Sequence, residues 1–142
     1  MASGQTENFG LSQWAAEDQV IRTEFNEDNA KIDAVLAEIS SALSKIVTGT
    51  YTGNGTDSRT ISLGFAPKAV YVCHQSGKLY DGNGNYYFGG LALKGHPAKP
   101  EGGPATVELV SGGFKVNYSM SNTKARIMTN AAGYVFHYLA LE

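Results

Sequence analysis

Between positions 25 and 46 the large apolar residues keep a fixed beat: Phe25, Ile32, Leu36, Ile39, Leu43 and Ile46, with Asn29 on the one beat that lacks an apolar side chain. The steps alternate four and three. On a helix that spacing keeps one narrow strip facing one partner along its whole length, which predicts a coiled-coil seam and not an ordinary core-facing helix. Placing Asn29, Leu36 and Leu43 at a puts Phe25, Ile32, Ile39 and Ile46 at d. Leucine at a with isoleucine at d disfavours two strands, so a parallel homotrimer is expected, with a tetramer as the alternative. Val35 at g and Val47 at e widen the strip, and Asn29 would fix register. A continuous helix over 22–47 would run about 39 Å. Outside the strip it offers Ala30, Ala34, Ala37, Ser41 and Ser44 with a few charges, too little to anchor a receptor.

Extended upstream, the beat meets Arg22, Asp18 and Ala15, while Phe9, Leu11, Trp14 and Ile21 fall off it. Residues 1–21 therefore read as a separate segment that docks on a larger particle through those four apolar residues; folding back over the helix is the competing expectation. From residue 48 the pattern changes to short β-branched and aromatic runs: "RTISLGF", "KAVYVCH", "NYYFGGLAL", "TVELV", "FKVNYSM" and "GYVFHYLAL". Gly, Asn, Asp, Ser and Pro fill the breaks, and the Gly112-Gly113 pair predicts a hairpin. The predicted fold class is α+β: an N-terminal helical coiled-coil stalk (parallel trimer, 22–47) followed by a small antiparallel β-sandwich head (48–142).

Composition sharpens that division. Residues 1–47 hold two of the seventeen glycines, no proline, no tyrosine, and eight acids against three bases. The remainder holds the other glycines, all four prolines, all eight tyrosines, and eight bases against five acids, so the overall charge of -2 hides an acidic stem and a mildly basic head. Neither half carries the clustered basic stripe that a phosphate backbone requires, which argues against nucleic acid. Cys73 stands alone inside "AVYVC" and reads as a small buried hydrophobe. No run is long and apolar enough to span a membrane, and "MASGQTENFG" lacks the regions of a signal peptide, so no membrane insertion is expected and synthesis in a cytosol is.

Catalytic signatures are missing: the chain has no P-loop, H-E-x-x-H, C-x-x-C or G-x-S-x-G, and no enzyme activity, cofactor or metal is expected. "DGNGN" imitates the first half of a calcium loop, but Tyr86 stands where glycine is needed and Ala92 where glutamate is needed, so it reads as a turn. Receptor chemistry is denser. "KLYDGNGNYYFGG" groups Tyr80, Tyr86 and Tyr87 with Asp81, Asn83 and Asn85, a combination that suits the apolar face and hydroxyl rim of a sugar. His96, in the Pro- and Gly-rich loop "KGHPAKPEGGP", is a further candidate.

"NFGLSQWAAEDQVIRTEFNEDNAKID" resembles the N-terminus of tail fibre or tail-appendage, receptor-binding-like proteins of phages and prophages of Gram-positive bacteria. "GTYTGNG", "TISLGFAPKAVYV", "GGFKV" and "NAAGYVFHYLAL" are similar to their C-terminal heads, and "GFAPKAV" also looks like the H-type lectin fold. The likeness thins across 76–105. It implies a trimeric virion fibre, held on tail or capsid proteins through its N-terminus and presenting a head to a host cell-surface glycan. A head or capsid decoration without a receptor, and a lectin-like module outside a virion, remain open alternatives.

Overall fold

The computed structural model describes residues 1–43 and 45–142, in two units, Met1–Ser44 and Lys45–Glu142. In the first, strands β1 (Gly4–Gln5) and β2 (Ser12–Gln13) pair antiparallel and lead to helix α1 (Arg22–Ala42). The last helical hydrogen bond runs from the Leu43 N–H to the Ile39 carbonyl at 2.9 Å, and Leu43 itself is extended, with φ -67° and ψ 111°. Ser44, one of the expected outward positions of the helix, lies outside the described residues. No described helix is long and apolar enough to cross a membrane.

The second unit runs through β3 (Ile46–Thr52), β4 (Ser58–Ser62), β5 (Ala69–His74), β6 (Tyr80–Asp81), β7 (Tyr86–Tyr87), β8 (Gly90–Leu93), β9 (Val107–Val110), β10 (Gly113–Asn117), β11 (Arg126–Ile127) and β12 (Val135–Leu141). These form a four-stranded antiparallel sheet, β3-β12-β5-β8, and two three-stranded ones, β4-β10-β9 and β11-β7-β6, the last containing a parallel pair.

The expected α+β architecture with a coiled-coil stalk over 22–47 is not what forms. Among the described residues the chain is mostly β: four sheets accompany one helix of 21 residues, about 32 Å long instead of 39 Å. Ile46, the last beat of the strip, and Val47 belong to β3, where they stand opposite Leu141 and Ala140 of β12. The reason lies in "IVTGTYT": its outward positions Ile46, Thr48, Thr50 and Thr52 are all β-branched and alternate with positions that turn inward, ending on Tyr51, and β12 offers a ladder partner for all seven. A helix continued through them would forfeit that ladder, and periodicity of large residues alone does not register the alternative.

The core of the second unit lies where the three sheets face inward. Val70, Val72, Ala92, Phe136 and Ala140 come from the four-stranded sheet, Val107, Phe114 and Val116 from β9 and β10, and Phe88, Met128 and Ala131 from the segments around β7 and β11. Tyr51 stacks on Phe136 at 5.1 Å and meets Phe114 edge-on at 6.1 Å. Gly49 is glycine because Tyr138 crosses it: a Cβ there would lie 2.4 Å from the phenol oxygen. The hairpin predicted at Gly112-Gly113 is present one residue earlier, with Ser111 and Gly112 (φ 81°) between β9 and β10. Polar groups buried here are bonded, as burial demands. Asn130, fully buried, donates to Asn54 Oδ1 at 2.7 Å and the Thr56 carbonyl at 2.8 Å, while Tyr51 donates to the Thr129 carbonyl at 2.6 Å.

Candidate functional site

β6 and β7 form a hairpin whose loop, Gly82–Asn85, closes on its own polar groups. Asp81 Oδ1 accepts the Asn83 N–H at 3.1 Å, Tyr80 donates to Asn85 Oδ1 at 2.8 Å, and Asn85 holds a positive φ of 54°, which asparagine tolerates. Arg126, on β11, donates to the Gly84 carbonyl at 2.6 Å and lies 5.3 Å from the Tyr86 ring. The loop is thereby tied to the neighbouring strand on both sides.

Behind this hairpin lies a cleft of about 410 Å³. One wall is aromatic. His74 packs edge-on against Phe88 at 5.7 Å and Tyr134 at 5.6 Å, and Tyr86 sits 6.5 Å from Phe88. Phe88 is buried and anchors the group, whereas Tyr134 keeps 43% of its surface exposed and offers a ring to whatever enters. Met120 and Met128 complete the apolar lining.

The other wall carries charge. Lys78 Nζ donates to Asp81 Oδ2 at 2.9 Å, and the same ammonium lies 5.9 Å from the Phe88 centroid. The Lys78 hydrogen bond, followed by the Asn83 N–H, holds the Asp81 carboxyl below the usual aspartate range, so it is ionised and its free lone pairs accept donors. His74 Nδ1 lies 2.8 Å from Ser76 Oγ and accepts the Ser76 N–H at 3.3 Å; these contacts close the turn after β5, together with the Gly77 N–H on the His74 carbonyl. No cluster of His, Cys, Asp and Glu able to hold a metal is present among the described residues. What the cleft provides is an apolar ring face beside an ionised acceptor and a cationic donor, a binding chemistry.

Of the residues expected to form a receptor site, Asp81 and Tyr86 line this cleft. Tyr80 and Tyr87 instead pack against each other with tilted rings at 4.7 Å, Asn83 and Asn85 serve the loop, and His96 sits exposed in the turn after β8, where its N–H donates to the Leu93 carbonyl. His74, Ser76 and Tyr134 lie outside the tyrosine-rich run and reach the cleft only through the fold, whereas Lys78 and Phe88 belong to that run and are cleft residues that its tyrosines overshadow.

In the first unit the hairpin segment bonds to acidic side chains of α1. The Ala2 N–H donates to Glu24, the Ser12 N–H to Asp28 Oδ2 at 2.8 Å, and Trp14 Nε1 to Glu24 Oε2 at 3.2 Å. Phe9 and Leu11 line an apolar groove of about 250 Å³ with Ile32, Val35, Leu36 and Ile39. Ile21 immediately precedes the helix in extended backbone. The four residues expected to dock on a particle thus include two placed beside the strip and one bonded to the helix. The strip itself stays open: Phe25, Ile32, Leu36, Ile39 and Leu43 are 43–71% exposed in the single chain, and Asn29 is exposed with them. Comparison with protein-family models, with curated proteins and with solved structures finds no match.

Proposed function

We propose that the chain is a homotrimeric fibre component of a phage particle, whose β unit binds a host-surface glycan in the cleft and whose N-terminal unit faces tail or capsid proteins of the virion. The observation that carries the recognition half is the pairing of the exposed Tyr134 ring with the Lys78–Asp81 ion pair in one cleft. A pyranose has an apolar face that lies on an aromatic ring and a rim of hydroxyls that need both an acceptor and a donor; Asp81 and Lys78 supply one of each. Self-association is supported by the open strip on α1, since five large apolar side chains left in water gain most by meeting the same strip on another copy. Threefold presentation would raise weak single-site sugar binding through effective concentration.

A glycan array probed with the intact chain tests this, alongside Tyr134→Ala and Asp81→Asn. The wild-type chain is expected to bind, and each variant to lose about tenfold or more in affinity, the loss of one good hydrogen bond or ring contact. Unchanged binding by both variants would move the site away from the cleft. Absence of binding by the folded wild-type chain would transfer the reading to a decoration fibre without a receptor.

A further inference from the structure

The cleft behind the β6–β7 hairpin does not end at Met120. That side chain, 40% exposed, lines the cleft and also lines a second opening of about 530 Å³ in the same unit, so the two are contiguous. Met120 belongs to the segment that leaves β10 and runs toward β11. Backbone bonds fix that segment: the Ser119 N–H donates to the Ile127 carbonyl at 2.9 Å, the Ile127 N–H returns the bond at 2.8 Å, β11 pairs with β7, and the Tyr118 N–H donates to the Asp57 carbonyl at 3.0 Å. The second opening is therefore pre-formed, as the cleft is.

Its wall offers hydrogen-bonding capacity that the fold leaves unused. The Asp57 carboxylate is exposed and has no hydrogen bond or ion pair among the described residues. Asn117 commits its Nδ2 to the Ala105 carbonyl at 2.9 Å, which leaves Oδ1 to accept. The Ser119 and Ser121 hydroxyls lie 3.0 Å apart; one donates to the other, and the second O–H stays available. Pro104 and Met120 supply the apolar part, no Lys or Arg is among the described residues that line the opening, and its other carboxylate, Glu108, is held by Lys115 at 2.6 Å.

Resting on the glycan reading of the cleft, we infer that the two openings are adjoining subsites of one groove, which takes a linear glycan of two or more linked sugar units, the one over the second opening uncharged. That unit finds acceptors in Asp57 and Asn117, a donor in the serine pair, and an apolar edge for its ring. A unit bearing a phosphate or carboxylate would instead meet Asp57 with no cation lining the opening. Met120 is unbranched and flexible, which suits a side chain that must underlie the linkage between two units.

Soluble mono-, di-, tri- and tetrasaccharides of each repeating glycan on the array, titrated against the intact chain so that avidity plays no part, test the groove. For the wild type, affinity should rise about tenfold or more from one unit to two or three and then level off. Asp57→Ala removes an acceptor and Ser121→Trp fills the opening; both positions are exposed, so the variants are expected to fold. Each should bring the longer chains back toward the affinity of the single unit, whereas Tyr134→Ala should weaken every length. Equal affinity at every length, or a rise that survives both variants, would overturn the second subsite while leaving the reading of the cleft intact. Tighter binding of chains with an anionic group on every unit than of their neutral counterparts would overturn it too. No binding of any saccharide by the folded wild type would overturn both readings.

Discussion

The two units are held together by different forces. Every buried apolar residue described in the chain, from Tyr51 to Ala140, belongs to the β unit, whereas among the described residues of the first unit the only buried one is Asp28, a carboxylate. The β unit takes a core of large side chains, Phe88, Phe114 and Phe136 among them, out of water by folding alone. The first unit orders a hairpin against a helix through carboxylate-to-amide hydrogen bonds and leaves Phe25, Leu36 and Leu43 exposed at 53, 58 and 71%. A module of the first kind has an apolar core of its own. One of the second kind keeps apolar surface in water, which is the ground for proposing recognition at one unit and assembly at the other.

The comparison breaks most sharply at Phe136. Its ring is fully buried, stacks on Tyr51 and meets His74 edge-on at 6.0 Å, so Phe136→Ala leaves a cavity that the paired strands β3 and β5 cannot close. The β unit should lose about 3–5 kcal/mol in denaturant unfolding. Trp14, the only tryptophan and a member of the first unit, should keep its emission below the β transition. A loss under about 1 kcal/mol would mean that the core is not centred on this ring.

Polar burial in the β unit gives the next effect in size. Asn130 places both ends of its amide: Oδ1 accepts the Asn54 N–H at 3.2 Å and Nδ2 donates to Asn54 and Thr56. Asn130→Ala removes these partners from a buried site and should destabilise by about 1–3 kcal/mol with the denaturant slope unchanged. An unaltered midpoint would show the loop 54–56 to be held without it.

Those two residues also mark what was legible in the chain. Phe136 announces itself, since "GYVFHYLAL" alternates and the strand runs from Val135 to Leu141. All six expected β runs contain strands, with "NYYFGGLAL" divided between β7 and β8. Asn130 does not announce itself, because its role depends on segments 74 residues apart meeting, which no local pattern encodes. The cleft fails for the same reason: Asp81 and Tyr86 were readable as neighbours in a tyrosine-rich loop, while Tyr134 and Met120 reach it only through the topology. The coiled-coil stalk expected over 22–47 does not form: the beat of large residues runs on through Ile46, but the β-branched run has already changed the backbone. Helical and strand periods coincide over a few residues there, and the ladder with β12 decides between them.

The smallest effect tests the polar side of the comparison. At Asp28, burial raises the carboxyl, but the Ser12 N–H, the Ser12 side chain and Lys31 outweigh it and hold the group below the usual aspartate range. Asp18 is lowered too, first by the Ser3 hydroxyl at 2.6 Å and then by the Ala15 N–H. A carboxyl whose folded pKa is depressed contributes stability that is present above the unfolded value of about 4 and is lost as pH falls through the lower folded value. Acid should therefore free the hairpin from α1: as pH falls below about 4, Trp14, bonded to Glu24, should shift its emission to the red. The β unit holds its core by apolar contacts and should keep its near-ultraviolet signal over the same window. Asp28→Asn removes the charge that faces Lys31 and the Ser12 N–H, and should show part of that red shift already at neutral pH. Trp14 emission that stays constant through the acid range in both proteins would mean that the hairpin is held by Phe9 and Leu11 against the helix, and the contrast between an apolar unit and a polar one would fall.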